Sequence, residues 1–287
     1  PVKSAPRGGR YVMASWLTDE ILIRQGVFLG VLGTMLLLEW LIPKRPSSLP
    51  KWRRDASNLS ISLINSLALR FLLPLLAVDA ALLAEEKGWG LFNLPEAGNL
   101  IPGPLVFALS LLLLDLAIYA QHVVFHFVPP LWRLHAMHHV DRDIDTTTGI
   151  RFHPLEILMS MGFKIALVFL LGIGPIAVIA FEVVLNATAM FNHANIALPR
   201  VADRVLRALI VTPDMHRVHH SVIRRETDSN FGFNLSLWDR LFGTYRAEPE
   251  KGHQGMEIGL AEHRGPEPAR ILWSLALPFR PKFWKTR

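Results

Sequence analysis

Histidine is the residue through which this sequence offers chemistry. There are twelve, against three tyrosines, and ten of the twelve fall between residues 122 and 220. They come as His122-Val-Val-Phe-His126, His135-Ala-Met-His138-His139 and His216-Arg-Val-His219-His220, with His153 and His193 standing singly. On a helix, residues three and four apart share a face. Each HxxHH string therefore aims its imidazoles at one point, and HxxxH does the same with two. Imidazole binds zinc, iron, copper and nickel well. Clustered neutral imidazoles in a basic region have no charge partner, and a metal ion resolves that problem. One tetrahedral zinc uses four ligands, so eight clustered histidines, or ten with His153 and His193, ask for two metals. A lone histidine is more often a hydrogen-bonded structural residue than a ligand, which is the plain alternative for His153 and His193. His253 and His263 lie in a polar tail and read as solvated. The chain has no cysteine, which excludes disulfides, thiolate zinc sites, iron–sulfur clusters and thiolate-ligated haem.

The elements that must position these residues are membrane helices. Of 287 residues, 51% are hydrophobic and only 19% charged, against about a quarter charged in soluble domains; the mean hydropathy is +0.30. Spanning a bilayer takes roughly 20 mostly apolar residues. Ile21–Ile42, about Leu59–Leu83 and about Pro104–Phe127 meet that length. Leu155–Met190 is too long for one span and carries Gly172-Ile173-Gly174-Pro175 at its middle, a turn signal. It reads as a helical hairpin. The expectation is an all-α integral membrane protein: about three spans plus a hairpin, with a histidine-rich cap.

Orientation follows from the flanks. Lys44, Arg45, Lys51, Arg53 and Arg54 form a basic loop that should stay cytoplasmic. Residues 85–103 are then outside, and the cap and 191–287 are cytoplasmic, in agreement with Arg200, Arg204, Arg207, Arg217, Arg224 and Arg225. The net charge of +6 is explained by this bias; docking of an acidic partner is the weaker reading. Pro1–Val12 is basic on the wrong side, and Met13 offers a native start. The segmentation reads as 1–20, an N-terminal segment; 21–103, helices and linker; 104–246, the histidine-bearing domain; and 247–287, a polar loop with an interfacial helix at Ile271–Phe279. Ionisable residues inside spans are costly and usually face the bundle interior. Asp115 and Tyr119 precede His122 and His126 at helical spacing, and Glu182 and Asn186 precede His193. Asp115 and Glu182 are therefore candidates to orient ligating imidazoles, with an interhelical ion pair as the alternative for Asp115.

Taken together, these strings resemble the fatty acid hydroxylase / sterol desaturase superfamily of membrane non-haem diiron proteins. LHAMHH (134–139) continues through Asp145-Thr-Thr-Thr-Gly to Arg151-Phe-His153-Pro154. FNHANI (191–196) precedes DMHRVHH (214–220), and FGFNLSLWDRLFGTY (231–245) is similar to the family's closing signature. FNHANI and PDMHRVHH look closest to the alkylglycerol monooxygenase branch and its bacterial relatives. The resemblance covers about residues 104–246. It implies a transmembrane bundle under a cytosolic cap, two iron ions, and O2-dependent hydroxylation, desaturation or oxidative demethylation of lipids. Zinc would be a substitute acquired during purification. The resemblance carries over His122, His126, His135, His138, His139, His216, His219 and His220 as ligands, and His153 and His193 as further ones. Asp145 and Asn195 lie in matching strings and could orient ligands. Trp238, Asp239 and Arg240 belong to the closing signature, with a role in fixing the cap.

An unactivated C–H bond needs an oxidant that redox-inert zinc cannot supply. Each turnover consumes two external electrons. The sequence has no flavin, nicotinamide or haem fingerprint, so the donor is expected to be a partner: a ferredoxin, a cytochrome b5-type protein or a reduced pterin. The expected function is hydroxylation of a fatty acyl, alkyl or sterol lipid, with desaturation on the same centre as the alternative. A membrane zinc hydrolase is less supported, since HExxH is missing and Glu156, near His153, is the main acidic candidate for a base. A bis-imidazole haem carrier would leave the HxxHH triplets with surplus ligands. A non-catalytic lipid-binding scaffold has no missing motif histidine to argue for it, and no nucleic-acid recognition module appears. The short cap and lack of a retention tail favour a bacterial inner membrane.

Overall fold

A computed structural model describes the backbone of residues 7–280 and the side chains from residue 20, apart from 21 and 97–99. The side chains of Pro1–Val12 lie outside the described residues, so their basic charge is left as a sequence expectation. The described chain is helical: α1 (Arg7–Leu41), α2 (Lys51–Leu72), α3 (Ala77–Lys87), α4 (Pro95–Leu100), α5 (Gly103–Phe127), α6 (Pro129–His139), α7 (Pro154–Leu171), α8 (Pro175–His193), α9 (Arg200–Leu206) and α10 (Pro213–His219), followed by short helices. Among the described residues, five stretches are long and apolar enough to cross a membrane: Leu22–Leu41, Lys51–Asn93, Gly103–Phe127, Pro154–Leu171 and Pro175–His193. These correspond to three spans plus a hairpin.

Proline and glycine set the breaks. The span expected over about 59–83 is two helices, α2 and α3, because Pro74 has no N–H to continue the ladder and disfavours helical backbone at Leu73. Pro129 and Pro130 end α5 and open α6 in its first turn, where a missing N–H is harmless. Gly172 closes α7 in the left-handed conformation (φ +70°), and Pro175 opens α8 three residues later. A Cβ at Gly90 would stand 2.0 Å from the Gly172 nitrogen, so the turn after α3 lies directly on the hairpin turn.

Apolar contacts of α3, α5, α7 and α8 form the main core, around Ala81, Leu114, Val168, Val178 and Phe181. The outer faces of the bundle are apolar too: Trp40, Phe71, Leu170 and Ile176 are all more than 65% exposed. That inside-and-outside apolarity is what a lipid solvent permits. Above the bundle, the segment after α6, the residues after α8 and the C-terminal tail form a polar cap. Its floor is an ionic network. Arg54 of α2 makes a paired contact with Asp141 (Nε–Oδ1 2.8 Å, Nη2–Oδ2 2.9 Å) and reaches Asp145 (2.8 Å).

The tail expected as a polar loop packs back onto the cap. Met256 and Ile258 are buried, and Val222 N donates to Glu257 O (3.0 Å). His253 and His263, read as solvated, are half-buried: His253 Nε2 lies 3.0 Å from Glu248 and His263 packs edge-on to Trp273. A short helix forms at Ile271–Ala276, with Leu272 81% exposed.

Candidate metal centre

Four segments bring nine histidines together in two adjacent groups. His122, His126, His135, His139 and His219 form one; His138, His193, His216 and His220 form the other. Within each group the available nitrogens all lie within 4.8 Å of one another, and all nine residues are buried. The two HxxHH strings are split between groups, because neighbours in sequence point to different sides of a helix end. His135 and His139 share a face of α6 at i, i+4, and His138 turns to the second group. His219 and His220 divide in the same way.

The backbone dictates which nitrogen is free. His122 Nδ1 donates to Phe231 O (2.7 Å), His138 Nδ1 to Arg151 O (3.2 Å), His193 Nδ1 to Ala189 O (2.7 Å) and His219 Nδ1 to Ser229 O (2.7 Å). His135 Nδ1 donates to Glu156 Oε1 (2.7 Å), and His126 Nδ1 stands 3.3 Å from Asp228 Oδ1. A carbonyl or carboxylate can only accept, so each of these rings carries its proton on Nδ1 and presents a bare lone pair at Nε2. Those lone pairs face one another: His122–His135 at 3.1 Å and His138–His193 at 3.1 Å. His219 Nε2 and both nitrogens of His220 are buried without a partner. Lone pairs aimed at each other in a dry interior are unfavourable unless a cation sits between them. The residues thus fit two metal ions. Burial, reinforced by the neighbouring imidazoles, holds His138, His139, His216, His219 and His220 well below the ordinary histidine range, which keeps them neutral and ready to ligate.

His153, carried over as a ligand, is a correction. Its Nδ1 accepts from Leu155 N (3.2 Å), capping α7, and its Nε2 lies 3.2 Å from Leu275 O. It lies outside both groups. None of the four residues expected to orient ligands touches a ligating ring. Asp115 accepts from Trp238 Nε1 (2.8 Å), Asp145 pairs with Arg54 and Lys51, and Asn195 bonds the Arg45 backbone on both sides. Glu182 pairs with Lys164 and Arg24. Helical spacing put Asp115 and Glu182 on the right face but not at the right height, while Asp145 and Asn195 lie in loops whose side chains turn elsewhere. The groups that do hold the rings are Glu156, Asp228 and main-chain carbonyls. Glu156 sits three residues after His153, and that proximity was its only sequence signal. Asp239 acts one bond further out: its carboxylate accepts from Phe231 N (2.7 Å) and Gly232 N (2.9 Å), fixing the carbonyl that takes His122. Arg240 donates to Arg207 O (2.9 Å) and lies over the Tyr245 ring.

Arg151 is wholly buried. It donates to Met137 O, Asn58 Oδ1, Pro268 O and Ser274 Oγ, tying α6, α2 and the tail to the carbonyl that holds His138. Burial brings its guanidinium down to about 10, with Asp141 acting against that fall. Burial pushes the Asp141 carboxyl up, yet Arg54 overrides it and holds the group well below the usual range.

A cavity of about 530 Å³ opens between α1, α2, α5, α7 and α8 and reaches His122, His135 and Glu156. It touches the five-ring group; no histidine of the four-ring group lines it.

Residues 107–244 match the model of the fatty acid hydroxylase family. That stretch, which holds all nine histidines, belongs to this family. Similar proteins include the ornithine lipid hydroxylase of Rhizobium tropici, 34% identical over 180 residues, or 61% of this chain and 50% of that protein. The human alkylglycerol monooxygenase is 26% identical over 260 residues, 90% of this chain and 54% of that protein. The rat cholesterol 25-hydroxylase is 27% identical over 208 residues, 71% of this chain and 65% of that protein. The chain thus spans about half the length of the first two. No solved structure matches it.

Proposed function

We propose that this chain hydroxylates a membrane lipid, with two iron ions held by the nine histidines. The observation that carries the reading is two adjacent sets of facing Nε2 groups, one of which, His122 and His135, closes the end of a cavity that runs between membrane helices. The names of the relatives, each a hydroxylase or monooxygenase of a lipid, favour oxygen insertion over desaturation. The five-ring group would hold one ion and the four-ring group the other. Iron supplies the redox chemistry when bound: activation of O2 toward an unactivated C–H bond.

The chain's own residues do the rest. Glu156 and the main-chain carbonyls lock ring orientation and keep the protons on Nδ1. Burial excludes water, which would divert a strong oxidant. The cavity walls hold the target carbon near His122 and His135, so wall shape sets which carbon reacts. The balance is R–H, O2, two electrons and two protons giving R–OH and water. The electrons come from an external donor, a ferredoxin, a cytochrome b5-type protein or a reduced pterin. We place the cap on the cytoplasmic side, as the basic residues 44–54 favour, in a bacterial inner membrane. Residues 104–246 act as the catalytic unit in this reading.

The test is metal counting joined to product mass. Protein purified in detergent from iron-supplemented cells should carry near two irons per chain, one for each histidine group. With reductant and total membrane lipid, a lipid should gain one oxygen atom, labelled when isotopic dioxygen is supplied. Loss of two hydrogens instead would make it a desaturase. Firmly bound zinc after iron supplementation, with no dioxygen consumed, would overturn the reading.

A further inference from the structure

The cavity that reaches the five-ring group has apolar side walls but is polar at both ends. At its far end Lys164, Glu182 and Arg24 line the wall. Lys164 Nζ meets Glu182 Oε1 at 2.5 Å, and Arg24 meets Glu182 Oε2 at 2.7 Å and Glu20 at 2.8 Å. Lys164 and Glu182 are more than 90% buried. Charged side chains within a span are expensive and are retained where something polar needs them. Nothing in the metal-centre chemistry uses this cluster.

The count of hydrogen-bonding groups shows what that is. Both Glu182 oxygens are taken. The Lys164 ammonium has three N–H groups and, among the described residues, one partner, so two donors remain. At the metal end the surplus is reversed. Glu156 Oε2 and Asn65 Oδ1 both belong to cavity-lining residues, and both are buried acceptors without a donor. Glu156 and Lys164 lie eight residues apart on α7, about 12 Å of helix. A chain of methylenes would leave all of these groups unpaired in a dry wall, at a cost no apolar contact offsets. A ligand carrying acceptor oxygens at one end and an N–H or O–H donor at the other satisfies both ends.

We infer that the polar head of a zwitterionic lipid enters this cavity, its anionic or carbonyl oxygens on Lys164 and its amine toward Glu156 and Asn65. The inference rests on the lipid hydroxylase reading and narrows it. The C–H bond converted to C–OH, with O2, two donor electrons and two protons, then lies in the head group or its linkage, and the tails remain in the bilayer. Two head groups share this chemistry: a phosphoethanolamine, with a phosphate, and an aminoacyl head, with a carboxylate or amide.

The test is retention of single-chain probes by the detergent-purified protein, read by mass spectrometry after size exclusion. The probes are lysophosphatidylethanolamine, Nα-myristoyl-lysine and tetradecanol. The wild type should keep at least one zwitterion about 10-fold better than tetradecanol, and the preferred probe identifies phosphate or carboxylate. Lys164→Met combined with Glu182→Leu removes the pair and leaves Arg24 its Glu20 partner. It should lose about 10-fold of that preference, with iron content and elution unchanged, and Lys164→Arg should keep most of it. Tetradecanol retained as well as the zwitterions by wild type, or full retention by the double variant, overturns the inference. Wild-type preference and the arginine variant decide the matter if the double variant does not fold. Oxygen gained on tetradecanol alone would sink this inference and leave lipid hydroxylation standing. Zwitterion retained with no lipid ever oxygenated would do the reverse.

Discussion

The two histidine groups differ in what stands behind them. In the five-ring group, His135 leans on the Glu156 carboxylate and His126 faces Asp228. In the four-ring group, His138 and His193 lean on neutral carbonyls, and the Nδ1 atoms of His216 and His220 are buried without partners. Only the five-ring group borders the cavity. A carboxylate behind an imidazole raises its basicity and stabilises positive charge on the ion it holds. If each group holds one ion as proposed, the asymmetry would favour a higher charge state on the ion beside the cavity, and the other would sit in a plainer surrounding. Two sites built from the same residue type are made unequal by their second neighbours.

The comparison breaks most severely when a ligand is removed. His139→Ala should empty the five-ring group and His220→Ala the four-ring group, each abolishing turnover. If the groups are separable, iron content falls by about half in each variant. Loss of both ions from either variant would show that they load as one unit. Metal removal by chelation comes next and exposes the histidines to acid. Their folded-state proton affinities lie well below 6.5. Below about pH 6.5 the unfolded chain therefore takes up protons that the folded chain refuses. The metal-free protein should lose thermal stability as pH falls from about 7 to 5 and be insensitive between about 7 and 8. A Tm flat across the acid range would contradict neutral burial.

Glu156→Gln is the sharper instrument, because it keeps shape and removes charge. It should weaken one ion by about 10–100-fold and leave the other in place, with spectroscopic change confined to the weakened site. Gly149→Ala probes the opposite side. A Cβ there would meet Ala189 O at 2.4 Å and His193 Nδ1 at 3.2 Å. Overpacking of this kind costs about 1–3 kcal/mol, and the damage should appear as loss of the four-ring ion. Asp228→Asn should have the smallest effect, a few-fold in iron affinity, because its contact with His126 is the longer one at 3.3 Å.

Much of this architecture is legible before any coordinates. Spacing of three and four within HxxxH and HxxHH marks eight of the nine gathered rings, since helix geometry alone forces such residues onto one side. The hairpin is written in Gly172-Ile173-Gly174-Pro175, where each residue type has one backbone use. What spacing cannot supply is which ring belongs to which ion, because that depends on how helix ends from four segments meet. His153 and His193 look alike in sequence. Only packing shows that one caps α7 and the other closes a metal group. Asp115 and Glu182 fail as ring partners for the same reason, and Asp145 and Asn195 because loop packing turns them to Arg54 and Arg45. A helical face fixes azimuth, while the partner is set by depth and by loops such as 228–231 that have no periodicity. The Pro74 break in the second span was in plain view but was masked by the continuous apolar run around it.

Arg151 carries a consequence for how the protein comes into being. Its carbonyl holds His138, and its guanidinium is gripped by Asn58, Pro268 and Ser274. During synthesis the first histidines are made well before residue 268, so for that interval the ring carrier exists without its clasp. On the proposed reading, iron would then load late, after the tail has docked, and a chain released early would present these histidines unfastened.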